Sequence, residues 1–89
     1  MRRKHDDTLV GLRALFDSLT SREREVMTLV TTGLMNKQVA HELGLSEITV
    51  KIHRGSVMKK MGAKSLADLV KMAEDAADLP PQAVVQTYV

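Results

Sequence analysis

The chain contains no cysteine and no tryptophan, one phenylalanine, one tyrosine, and two prolines that stand together as Pro80-Pro81. Without thiols, disulfides and thiolate metal sites are excluded. The three histidines, His5, His41 and His53, lack metal-ligand spacing, so no metal is expected. With aromatics this scarce, Leu, Val, Ile, Met and Ala must build the core, which suits packed helices. The six methionines read as gap-filling core. No apolar run is long enough to span a bilayer and no signal-peptide h-region is present, so the expectation is a cytoplasmic chain without a membrane partner. Ser, His and Asp occur, but no glycine-framed nucleophile or cofactor loop accompanies them; neither an enzyme nor a cofactor is expected. At 89 residues there is room for one small domain and one modest core.

The overall charge of +2 hides an uneven distribution. Residues 1–45 are nearly balanced. Residues 46–64 carry Lys51, Arg54, Lys59, Lys60 and Lys64 against Glu47 alone, a net +4. Residues 65–89 carry Lys71 against Asp68, Glu74, Asp75 and Asp78, a net −3. Positive charge gathered on one segment is what attraction to phosphates requires, although a solvated basic helix face would look the same.

Hydrophobic spacing and cap residues predict an all-α fold, with helices near 7–17, 21–33, 36–43, 46–61 and 65–76. Residues 1–5 read as a basic, disordered start, and Asp6 or Asp7 as the cap of the first helix. Leu9, Leu12, Phe16 and Leu19 follow a 3.6-residue period. Thr20-Ser21-Arg22-Glu23 is a capping box, and its helix is expected to bury Val26, Leu29 and Val30, with Met27 at the edge. Gly33 should end that helix and Asn36 cap the next. Val39, Ala40 and Leu43 share one stripe, Gly44 provides a left-handed terminus, and Ser46 caps the following helix. Together these form the grammar of a helix-turn-helix. Gly62 stops the helix from 46. Ser65-Leu66-Ala67-Asp68 opens the last one, whose inner stripe is expected to hold Leu66, Leu69, Val70 and Ala73. From Asp78 the chain loses helical periodicity and reads as a flexible tail.

The helix from 46 to 61 carries the chemistry. Val50, Val57 and Met61 share one face, flanked by His53 and Arg54. The opposite face holds Ile48, Lys51, Ile52, Gly55 and Lys59. A purely structural surface helix would rarely expose two isoleucines. A face that reads bases gains from them, because Lys donates to guanine and an apolar group meets the thymine methyl. Ile48, Lys51, Ile52 and Gly55 are therefore the candidate base-facing positions. Candidate phosphate contacts are Thr49 in the first turn, Lys37 and Gln38 at the start of the preceding helix, and Lys59, Lys60 and Lys64. Thr49 could equally serve the helix start with Ser46. His53 reads as a hydrogen-bonded structural residue, and Arg54 as a packed stem with its head on a carboxylate or a phosphate. Arg22, Glu23 and Glu25 are expected to pair within the domain.

Four motifs stand in order: Leu19-Thr20-Ser21-Arg22-Glu23-Arg24-Glu25-Val26, Gly33-Leu34-Met35-Asn36-Lys37-Gln38-Val39-Ala40, Ser46-Glu47-Ile48-Thr49-Val50-Lys51-Ile52-His53 and Lys60-Met61-Gly62-Ala63-Lys64-Ser65. On them the segment Leu19 to Ala73 resembles the LuxR/FixJ-type DNA-binding domain, and the run from His53 to Met58 looks most like the FixJ branch of bacterial response regulators. The resemblance implies sequence-specific binding of double-stranded DNA by a transcription regulator of a two-component system. It also implies a four-helix bundle with a helix-turn-helix, preceded by a linker helix. The domains are then 1–18, an arm and linker helix; 19–77, the DNA-binding domain; and 78–89, the tail. A receiver domain in the complete protein and RNA polymerase are the implied protein partners. Gly55 departs from the pattern, since relatives often bear a side chain there.

One reading helix covers few base pairs, so a homodimer on paired half-sites is expected. The outer side of the last helix, with Ala67, Asp68, Lys71 and Met72, is the candidate interface. Two readings of another kind stay open: a protein-interaction module that grips a partner such as a sigma factor, and a sigma-factor-like promoter-reading domain.

Overall fold

Short polar and glycine signals set each helix boundary. In the computed structural model, which describes residues 11–77, five helical segments follow one another and no strand occurs among the described residues: α1 (residues 11–17), α2 (Ser21–Thr31), α3 (Asn36–Leu43), α4 (Glu47–Met61) and α5 (Leu66–Ala76). The capping box at α2 is complete. The Glu23 N–H donates to Thr20 Oγ1 at 3.1 Å, and the Thr20 N–H donates to Glu23 Oε1 at 2.9 Å. Ser46 caps α4 by accepting the Thr49 N–H at 3.1 Å. Ser65 caps α5 in the same way through Asp68, but the box there is shifted: the Asp68 carboxylate accepts from the Lys64 N–H rather than from Ser65.

The turn between α3 and α4 shows why glycine is needed at 44. Gly44 adopts φ 67° and ψ 36°, a left-handed conformation costly to other residues. This lets the Leu45 N–H return to Ala40 O at 2.9 Å and the Gly44 N–H to His41 O, closing the helix with two satisfied carbonyls. The chain then leaves at an angle that packs α4 across α3. α4 also packs on α2, and α2 on α5. The core between them consists of Val26, Met27 and Val30 from α2, Val39 and Ala40 from α3, Val50, Val57 and Met61 from α4, and Leu69 from α5.

Several expectations need correction. α2 ends at Thr31, two residues early, because Thr32 and Gly33 already turn the chain and the Thr31 and Thr32 hydroxyls bond back to carbonyls of the last turn. Its buried stripe is rotated, so Met27 is buried and Leu29 half-buried. Asn36 does not cap α3: it is the first helical residue and Met35 stands before it in extended backbone. Leu66 remains 39% exposed in the first turn of α5, so the inner stripe centres on Leu69 and Ala73. Within the segment assigned to an arm and linker, Leu12 is buried in the common core and Phe16 packs against it. The Arg24 guanidinium lies 4.9 Å from the Phe16 ring centroid and donates to Asp17 O at 3.4 Å, which ties α1 to α2. The basic start, Leu9, the first cap and the tail from Asp78 lie outside the described residues.

Candidate nucleic-acid interface

α4 has two faces of different chemistry. Val50, Val57 and Met61 are fully buried. Opposite them, Ile48 is 72% and Ile52 62% exposed, with Lys51, Gly55 and Lys59 exposed on the same face. Single exposed apolar residues are ordinary on protein surfaces. Two isoleucines one turn apart, bracketed by lysines, make an apolar strip inside a cationic rim. Burying an isoleucine side chain is worth roughly 1.5–3 kcal/mol, so this strip holds unused binding energy.

Gly55 sits in the middle of this face in ordinary helical backbone, since the positive-φ glycines are Gly33, Gly44 and Gly62 only. A Cβ added there would meet nothing within 4 Å. Nothing within the domain therefore requires glycine at 55, and the helix loses stability by having it.

The flanking groups differ in availability. Thr49 is half-buried, and its oxygen accepts from Ser46 Oγ at 2.9 Å, which leaves its own hydroxyl proton to donate outward. Lys37 and Gln38 are exposed in the first turn of α3. Gln38 Oε1 accepts from the Met35 N–H at 2.8 Å, so only its amide N–H groups remain for a phosphate. Lys59 and Lys64 are exposed.

Lys60 stands apart from the other expected phosphate contacts. Its ammonium donates to Glu23 Oε1 at 2.8 Å and to Ser18 O at 3.4 Å. Glu23 is 6% exposed, and a buried carboxylate needs such a partner. The Lys60 hydrogen bond, then the Thr20 backbone N–H, hold the Glu23 carboxyl below its ordinary value against the opposing effect of burial. Lys60 thus ties the end of α4 to the start of α2. Arg22 pairs with Glu25 at 3.0 Å, within the domain.

Arg54 is half-buried, and its Nη1 donates to Asn36 Oδ1 at 2.9 Å. Neither a carboxylate nor a phosphate is needed for it. This α3–α4 link escaped sequence reasoning, because Asn36 was assigned to its own helix terminus and the partners are far apart in the chain.

On α5, Ala67, Asp68 and Lys71 are exposed and Met72 is half-buried. The outer side is not wholly free: Asp68, Lys71 and Met72 line an open groove of about 580 Å³ together with Gly11, Leu12 and Leu15 of α1. Among the described residues no group of three or more His, Asp or Glu gathers as a metal ion would require, and no helix is long and apolar enough to cross a membrane.

Residues 17–73 match the family described as bacterial regulatory proteins, luxR family. Nodulation protein W of Bradyrhizobium diazoefficiens is 64% identical over 73 residues, covering 82% of this chain and 32% of that protein. Transcriptional regulatory protein FixJ of Rhizobium meliloti is 50% identical over 67 residues, covering 75% of this chain and 33% of its own length. Among solved structures, response regulator StyR superposes with a TM-score of 0.79 at 51% identity, over 82% of this chain and 37% of that one. Full-length FixJ from B. japonicum gives 0.77 at 38% identity, over 89% and 39%. The chain spans about a third of the length of the curated relatives it matches. With the matched region covering most of the described helices, the chain belongs to the luxR family of bacterial regulatory proteins and is a transcriptional regulator domain of that family.

Proposed function

We propose that the chain binds double-stranded DNA sequence-specifically, with α4 in the major groove. The observation that carries this reading is the exposed Ile48 and Ile52 pair opposite the buried stripe of α4, set among lysines. A major groove about 12 Å wide admits one helix, and its floor presents both thymine methyls and guanine acceptors. Ile48, Lys51, Ile52 and the backbone at Gly55 face the bases. Lys37, Gln38, Thr49, Lys59 and Lys64 hold phosphates on either side, and the first turn of α3 crosses the backbone.

Two copies would read paired half-sites through the outer side of α5, with Ala67, Asp68, Lys71 and Met72 at the contact. Because Met72 also lines the groove beside α1, pairing through α5 would be sensitive to where α1 lies. In a complete protein the residues beyond this domain would include a receiver, as the response-regulator names of the relatives support. RNA polymerase would be the partner through which bound copies act, in the cytoplasm.

A salt titration of binding to duplex DNA tests the reading. Neutralising phosphates with Lys37, Lys59 and Lys64 should give a plot of log affinity against log salt with a slope of about −3. A flat plot would reject DNA as the ligand.

A further inference from the structure

Two polar ties hold α4 from opposite flanks of its buried stripe. Arg54, near the middle, donates to Asn36 Oδ1 at the start of α3; Lys60, near the end, donates to Glu23 at the start of α2. At 1.5 Å per residue the two lie roughly 9 Å apart along the axis. Their chemistry differs. Lys60 answers a buried carboxylate and so has a structural reason to exist. Arg54 bonds a neutral amide, and Asn36, the first residue of α3, points its oxygen across to α4.

The apolar stripe of Val50, Val57 and Met61 sets which face of α4 is buried, but the hydrophobic effect that buries it is not directional. A hydrogen bond is directional and weakens steeply as its angle closes. The arc from Lys51 through Gly55, Ile48 and Lys59 to Ile52 is only about 100° wide on a helix of 3.6 residues per turn. A modest rotation would carry one edge of it away from the bases. Arg54 lies beyond the Lys51 edge of this arc and is not a base contact itself.

We propose that Asn36 and Arg54 are a positioning pair: their hydrogen bond fixes the rotation of α4 on α3 and thereby sets sequence discrimination without touching a base. This rests on the reading of α4 as the base-facing helix.

The test uses the whole 89-residue chain and duplexes it selects from a random pool. The quantity read is the ratio of Kd on random duplex to Kd on the selected duplex. Asn36→Ala and Arg54→Met, which keeps the packing stem, should each cut this ratio about tenfold, the worth of roughly one base contact. Asn36→Asp keeps the acceptor. Its added negative charge weakens both duplexes alike, and the ratio should stay within about twofold of the starting protein. The double variant Asn36→Ala/Arg54→Met should be no worse than either single one, as for two halves of one interaction. Ratios unchanged in both single variants, whatever their thermal midpoints, would reduce the pair to fold stability and overturn the proposal. Losses that multiply in the double variant would overturn it too. Should Asn36→Ala fail to fold, Arg54→Met and Asn36→Asp still oppose each other in expected outcome. A starting protein that enriches no sequence at all would refute base reading itself, a failure distinct from that of the pair.

Discussion

Replacing Gly55 with alanine should push fold stability and DNA affinity in opposite directions. The backbone at 55 is ordinary right-handed helix, the position is exposed, and the new Cβ meets no atom within 4 Å. The change therefore adds no clash and removes only unfolded-state freedom, a gain of about 0.5–1 kcal/mol. For a domain of this size that raises the thermal midpoint by roughly 2–8 °C. If α4 lies in the major groove as proposed, the same Cβ would intrude between the backbone and the base edges, with Ile48 and Ile52 on one side and Lys59 on the other. Overpacking of a close contact costs about 1–3 kcal/mol, so affinity for a selected duplex should fall at least about fivefold. A thermal melt followed by circular dichroism and a fluorescence-anisotropy titration read the two effects. A lower melting point would refute the open-space account of position 55. A higher melting point with unchanged affinity would remove Gly55 from the DNA-facing surface.

Lys51→Ala should cost about 1–3 kcal/mol on a selected duplex and much less on random DNA, whereas Lys59→Ala should weaken both alike and flatten the salt slope by about one unit; equal losses for Lys51→Ala on both duplexes would make it a phosphate contact. The Glu23 carboxyl is held down in the folded chain, so its contribution to stability is present above its ordinary value of 4.5 and is lost as pH falls below it. Lys60→Met should lower stability at neutral pH by about 1–2 kcal/mol and shrink that acid-side loss, as chemical denaturation at pH 7 and pH 3.5 would show; an unaltered pH dependence would mean that Lys60 is not what holds Glu23 ionised. Met72→Glu should abolish paired occupancy of a two-half-site duplex in analytical ultracentrifugation while single-site binding survives, and intact pairing would remove α5 as the contact.

What the sequence disclosed and what it hid divide along a physical line. Caps at Thr20, Ser46 and Ser65, and the glycine ends at 44 and 62, depend on atoms within a few residues, and all were legible. The two faces of α4 were legible for the same reason, because helical periodicity alone places Ile48 and Ile52 opposite Val50 and Val57. The rotation of α2 that buries Met27 rather than Leu29 was not, since it depends on where α4 and α5 lie. Nor were the links from Arg54 to Asn36 and from Lys60 to Glu23, which join residues 18 and 37 positions apart. Charge counting shows Lys60 only as one more cation of its helix, because a cation's partner is invisible until the helices are packed.

The apolar strip on α4 can be tested atom by atom. Thymine and uracil differ only by the C5 methyl group, which lies in the major groove. In a selected duplex, thymines replaced one at a time by uracil should weaken binding at one or two positions by about 0.8 kcal/mol, the worth of one buried carbon. The same replacement should be neutral for the Ile48→Ala or Ile52→Ala variant that no longer reaches that methyl. Sequence-specific binding indifferent to uracil at every position would contradict the placement of the Ile48 and Ile52 face against the bases.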